Sequence, residues 1–209
     1  VTSEDRQYWA FQPLDQPPLP RARKKGWAQT SIDLFVLRRM EKQRVLPAPQ
    51  ADRRTMIRRA YFDLVGLPPA AEEVEAFVAA EDLPQAWEKI VDRLLQSEHF
   101  GERWARHWLD TARFAESHGF EHDTDRNHAY HYRDFVIRAF NQDLPYDQFL
   151  RWQLAGDELA PNDSLALAAT GFLGAGVFPT QITISEAERV RYDALDDMLS
   201  TTGTSMLGL

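Results

Sequence analysis

Gly101-Glu102-Arg103-Trp104-Ala105-Arg106-His107-Trp108-Leu109-Asp110 is the stretch on which the fold reading turns. With its flanks it carries Phe100, Trp104, His107, Trp108, Thr111 and Ala115 at helical spacing. That period predicts one long helix, capped by Ser97 and running through about Glu116. A stripe so rich in aromatic rings needs other helices to cover it, so the neighbouring segments are read for the same period.

Toward the N-terminus the period repeats. Pro84 opens a helix with Trp87, Ile90, Val91, Leu94 and Leu95 on one face. Pro68-Pro69 precedes another, with Glu72 and Glu73 in the first turn, where carboxylates suit the helix dipole. A helix from about Arg53, capped by Asp52, carries Met56, Ile57, Ala60, Tyr61 and Leu64 and ends at Gly66. Ser31 is read as the cap of a helix bearing Ile32, Phe35, Val36 and Met40. Residues 1–30 hold the cluster Tyr8-Trp9-Ala10-Phe11 and then Pro13, Pro17, Pro18 and Pro20, which predict an extended arm pinned to the body by its aromatic rings.

Toward the C-terminus, residues 117–129 lack an apolar period and read as a polar loop. A helix follows over Tyr130 to Asn141, with Phe135, Val136, Ala139 and Phe140 inward. Pro145 breaks it, and the next helix carries Tyr146, Phe149, Leu150 and Leu154, with Gly156 just past its end. Ser164 to about Leu173 is another. Gly171, Gly174, Gly176 and Pro179 then interrupt regular structure, and Ser185 is read as the cap of a last helix with Ala194, Leu195, Met198 and Leu199. No Asn-Gly hairpin signal and no βαβ alternation is found. The expectation is an all-α fold, an irregular orthogonal helical array with a Pro-rich arm (1–30) on a single helical domain (31–209) truncated at its C-terminal end.

Composition narrows the function classes. The 209 residues are 44% hydrophobic and 27% charged, which excludes disorder by composition. Asp plus Glu number 32 and Lys plus Arg 24, so the formal net charge is −8, which argues against general nucleic-acid binding. The charge is uneven: residues 1–60 carry 13 basic and 6 acidic side chains, a net of +7, and the rest is strongly acidic. The absence of Cys excludes disulfides, thiolate metal sites, a Cys nucleophile and covalent c-type haem attachment within these residues. The most apolar stretch, Leu165 to Phe178, falls short of the ~20 apolar residues that span a bilayer. The apolar end Met206-Leu207-Gly208-Leu209 reads as cut from a longer chain and predicts weak self-association.

Three long motifs carry a resemblance. They are Arg58-Arg59-Ala60-Tyr61-Phe62-Asp63-Leu64-Val65-Gly66-Leu67-Pro68-Pro69, the Gly101–Asp110 stretch, and Tyr132-Arg133-Asp134-Phe135-Val136-Ile137-Arg138-Ala139-Phe140-Asn141. With Gln153-Leu154-Ala155-Gly156-Asp157 and the closing Thr202-Gly203-Thr204-Ser205-Met206-Leu207-Gly208-Leu209, the chain resembles the planctomycete cytochrome C-associated domain of unknown function. The resemblance implies an exported, periplasmic or cell-surface, multidomain protein. A cytochrome-like haem domain precedes this domain there, a second domain of unknown function follows, and a Cys-x-x-Cys-His segment lies beyond the position of residue 209. It implies packing near c-type haem and a part in positioning electron transfer, without haem held by these residues and with the flanking domains as partners. The resemblance brings no established activity.

Two constellations invite chemistry. His118, Glu121, His122, Asp123, Asp125, His128 and His131 crowd one segment, and imidazole and carboxylate are the natural ligands for a divalent metal where no thiolate exists. His118, His122, Asp123, His128 and His131 are therefore the candidate metal ligands; a solvated polar loop is the competing reading. His107, on the aromatic stripe between Trp104 and Trp108, suits an axial haem ligand or a proton shuttle. The competing reading is a core His, inward-facing and hydrogen-bonded. Three functions stay open: an accessory domain beside haem, a metal- or carboxylate-dependent enzyme acting on extracellular polysaccharide through His118, His122, Asp123 and Asp157, or an interdomain scaffold.

Overall fold

The computed structural model describes residues 2–23, 26–119, 122–177, 179 and 181–208. Glu121 of the polar segment, Phe178 and Leu209 lie outside the described residues. The fold is all-α: nine α-helices are found among the described residues, with no strand. Contacts divide the chain into two units, Val1–Asp52 and Arg53–Leu209.

In the first unit, short 3-10 turns at Asp5–Gln7 and Trp9–Phe11 precede a proline-bearing stretch without regular structure. The Tyr8 ring lies tilted against Trp9 and Phe11, with ring centroids 5.8 and 6.0 Å apart, and all three rings remain exposed. Helix α1 spans Ser31–Lys42. Its cap is Thr30 rather than Ser31: the Thr30 hydroxyl accepts from the Asp33 amide, and the Asp33 carboxylate accepts from the Thr30 amide. The buried side chain of α1 is Leu37, while Ile32, Phe35 and Val36 of the expected stripe stay exposed.

The second unit contains two apolar clusters. Helices α2 (Arg53–Leu64), α3 (Ala71–Ala79) and α4 (Leu83–Leu95) close around Ile57, Ala60, Tyr61, Val65, Phe77 and Leu94. Polar groups join the three helices at one edge. Arg93 of α4 donates to the Tyr61 hydroxyl of α2 at 2.5 Å and pairs with Glu73 of α3 at 2.6 Å. Burial, followed by the bond with Glu73, pushes the Tyr61 phenol up to about 12.

The second cluster is built by α5 (Glu98–Thr111), α6 (Tyr130–Asn141), α7 (Tyr146–Leu159) and α8 (Ser164–Ala169), the last followed by a 3-10 turn at Thr170–Phe172. Ser97 caps α5 as its sequence position predicts. The buried face of α5, however, is Gly101, Ala105 and Leu109, continued by Ala112, and not the aromatic stripe. The cause is the close approach of α6. A Cβ at residue 101 would collide with the Ile137 carbonyl, and the Gly101 amide donates to Asn141 Oδ1 at 2.7 Å. Small residues therefore form the contact line between α5 and α6. Trp108 sits at its margin, and Trp104 and His107 turn outward.

Gly156 does not end α7. The helix continues to Leu159 across a non-helical residue, Ala155, and Gly156 is buried where a Cβ would strike the Ala166 carbonyl of α8. The centre of this cluster is aromatic: Phe149 stacks on Phe135 at 5.5 Å and meets Trp108 edge-on at 4.9 Å. One polar side chain lies fully inside it. Gln153 Oε1 accepts from Trp108 Nε1 at 2.8 Å and from the Tyr132 hydroxyl at 2.7 Å, and Gln153 Nε2 donates to the Phe149 carbonyl at 3.0 Å.

Helix α9 (Ala187–Thr202) starts two residues after Ser185, without a side-chain cap, and runs into a π-turn at Gly203–Leu207. Its one buried residue is Val190. Arg113, at φ +53° just after α5, binds the Asp197 carboxylate through Nε and a terminal nitrogen, and Met206 packs against the second cluster. Among the described residues no helix is long and apolar enough to cross a membrane.

Candidate functional site

The polar segment after α5 folds back on itself. His118 donates its amide to the Thr124 carbonyl at 2.9 Å, and Arg126 donates its own to the Glu116 carbonyl at 2.7 Å, around a single antiparallel bridge between Ser117 and Asp125. Gly119, at φ +62°, allows the reversal, and its amide donates to Asp123 Oδ1 at 2.9 Å. The Ser117 hydroxyl, and then this amide, hold the Asp123 carboxyl below the usual carboxylate range.

Folding this way sorts the five candidate ligands into two groups. His118, His128 and His131 line one cleft; His122 and Asp123 are exposed and do not line it. No group of three His, Asp or Glu side chains stands in metal-holding geometry among the described residues. The three cleft imidazoles are spread rather than convergent. His128 and His131 stack with centroids 6.2 Å apart, His131 also lies against Tyr130 at 4.1 Å, and His118 Nδ1 faces Arg126 Nε at 3.3 Å.

The cleft encloses about 800 Å³ between this segment, the start of α6, and α8 with its following turn. That volume suits a small organic ligand. Its apolar lining includes Phe114, Leu167 and Ala168, and Gly171 lets the turn after α8 pack closely on α6, because a Cβ there would collide with the Tyr132 side chain. Asp125, Arg126, Asn127 and Ser164 supply polar edges beside the imidazoles. The sequence reading missed Arg126. One arginine among the 20 of this chain has no distinguishing neighbourhood in sequence. It becomes distinct only when the segment folds and its guanidinium reaches the carbonyls of Gly174, Ala175 and Gly176.

His107 does not face inward as one sequence reading had it. It is exposed on α5, 5.4 Å from the Trp104 ring, which in turn meets Phe100 at 6.0 Å. This aromatic strip is superficial, with Trp104 itself 38% exposed. Asp157 and Glu158 are exposed neighbours on the last turn of α7 and are not among the residues lining the cleft.

A different surface is apolar. On the outer side of α9, Tyr192, Leu195 and Leu199 recur at helical spacing and are 62%, 48% and 72% exposed. No curated protein and no solved structure matches the chain. The family model PSCyt2, described as a protein of unknown function (DUF1549), matches residues 31–209. The chain therefore belongs to the PSCyt2 family, the planctomycete cytochrome-associated domain of unknown function that its motifs resemble.

Proposed function

We propose that the chain is an accessory, non-catalytic module of an exported multidomain protein that carries c-type haem, and that the outer face of α9 meets the haem-bearing neighbour. Membership of the PSCyt2 family supports the setting. The observation that carries the assignment is the apolar stripe Tyr192, Leu195 and Leu199, left in water on a 16-residue helix with a single buried side chain. A helix that exposes its apolar stripe is stabilised when another surface covers it. The role of such a module is to hold the haem segment at a fixed place against the α5–α8 body, with Arg113–Asp197 and Met206 as its own attachments of α9.

The test uses the natural full-length protein exported to a periplasm. Its absorption spectrum is expected to show c-type haem, and amide exchange along α9 is expected to slow at least about tenfold relative to residues 1–209 alone. A full-length protein without haem absorbance, or with α9 exchanging at the same rate in both forms, overturns the proposal.

A further inference from the structure

We infer that the cleft between the His-bearing segment, the start of α6 and α8 is a binding site for an organic anion, with an apolar body on the floor and an acidic head at the Arg126 edge. The inference stands apart from the placement beside haem, since α9 forms no part of this cleft.

The first argument is charge. Arg126 is permanently cationic and half-buried, and among the described residues it forms no ion pair. Its guanidinium is held by neutral acceptors instead: the carbonyls of Gly174, Ala175 and Gly176, and His118 Nδ1. The contrast with Arg113 is direct. Arg113 is spent on Asp197, with Nε 2.9 Å from Oδ1. Burial beside a second guanidinium lowers the affinity of Arg126 for its own proton, which is the direction expected of a cation lacking a counter-charge. Asp125 also lines the cleft but pairs with no cation at salt-bridge distance among the described residues.

The second argument is the set of donors. Arg126 Nε donates to His118 Nδ1, so a neutral His118 carries its proton on Nε2. His128 and His131 stack side by side on the same wall. Imidazole N–H groups next to a fixed guanidinium form a surface suited to carboxylate or sulfate oxygens.

The third argument is shape. Leu167 is 43% exposed and, with Phe114 and Ala168, gives a cleft of about 800 Å³ an apolar lining that serves as its floor. A flat apolar body covers that floor where water cannot bond to it. A bare inorganic anion would use the edge and leave the floor uncovered. An apolar molecule without a head would leave Arg126 without its counter-charge.

The experiment titrates residues 1–209 with 2-naphthoate, its neutral isostere 2-naphthamide, and acetate, followed by NMR of the His ring protons and Arg126 Nε–H. Naphthoate is expected to bind with a Kd of about 1 mM or tighter, at least about tenfold tighter than the amide and far tighter than acetate, and to shift the His118, His128 and His131 signals. Leu167→Glu places a carboxylate on an already exposed floor position, leaves the core intact, and is expected to weaken naphthoate at least about tenfold. Leu199→Glu on α9 is expected to leave naphthoate binding unchanged. Equal binding of naphthoate and naphthamide, no His shifts up to 10-fold excess over that Kd, or an unaffected Leu167→Glu variant overturns the inference.

Discussion

Helices α6 and α9 both carry apolar residues at helical spacing and meet opposite fates in the fold. Helix α6, 12 residues long, buries Tyr132, Phe135, Val136 and Ala139. Helix α9, 16 residues long, buries Val190 alone and leaves Tyr192, Leu195 and Leu199 in water. The stripe is stronger on α6, yet both helices offer an apolar face. The difference lies in what surrounds each. Helix α6 has Gly101 on one side and Gly171 on another, two places where a Cβ would collide with α6 atoms, so other backbone comes close on both sides. Helix α9 is fixed by an ion pair and by one Met beyond its end. The first helix belongs to the core; the second is attached at its margin, through Val190, through Asp197 beside Arg113 and Gly176, and through Met206.

The largest effect that separates the two regions is expected at the polar centre of the core. Gln153→Leu removes the acceptor shared by the Trp108 indole and the Tyr132 hydroxyl, both enclosed beside Phe149. The Trp108 indole keeps its 3.0 Å bond to the Tyr132 hydroxyl, but that hydroxyl loses its own acceptor in a site that water does not reach, at a cost of about 1–3 kcal/mol. In a chain of this size that lowers Tm by about 3–10 °C. Thermal unfolding followed by Trp fluorescence measures it. A melt within about 2 °C of the parent would mean that the Tyr132 hydroxyl finds another acceptor and that Gln153 does not organise this core.

A smaller and local effect is expected at α9. Arg113→Ala removes all three hydrogen bonds to Asp197, in a pair whose arginine side chain is 23% exposed. Released from that tie, α9 opens without the core, so its amides are expected to exchange at least about tenfold faster while those of α5 and α6 keep their rates. The global Tm is expected to fall by about 3 °C or less. If amides of α6 and α9 lose protection together, the two regions unfold as one and the contrast drawn between them is wrong.

How far the sequence reveals this division follows from what each element needs. The all-α class and the position of most helices are legible because caps, prolines and 3.6-residue spacing are local signals: Ser97 and Pro84 stand where they are expected. The burial face of α5 was not legible. Large aromatic residues dominate a hydrophobicity pattern, whereas close contact between helix backbones selects small ones, and Gly101 and Ala105 contribute little to any period. The same holds at Gly156, where a glycine that looks like a helix terminator is a point of contact between α7 and α8. At the cleft, three of the five histidine and aspartate residues singled out in sequence, His118, His128 and His131, come to line one cavity. The sequence did not show that His122 and Asp123 fall outside, nor that Arg126 of the same segment and Leu167 and Gly171 of α8 and its turn complete the cleft.

The smallest expected effect tests the corrected face of α5. If the stripe Phe100, Trp104, His107, Trp108 were the buried one, His107 would sit between helices, and His107→Ala would leave a cavity and an unpaired partner worth about 1–3 kcal/mol. With Gly101, Ala105 and Leu109 buried instead, His107 stands in water and touches mainly the half-exposed Trp104 ring, at a tilt of 60°. Losing such a contact is expected to change stability by no more than about 0.5 kcal/mol, a Tm shift of under about 2 °C. Ala105→Leu supplies the opposite sign of evidence from two positions away. Ala105 is 1% exposed, so the added carbons have no room against α6, and a cost of about 1–3 kcal/mol is expected. The two melts, measured side by side, fix which face of α5 meets the core. A large loss in His107→Ala together with a tolerated Ala105→Leu would rotate the helix back to the aromatic stripe, and the close approach of α5 to α6 at Gly101 would fall with it.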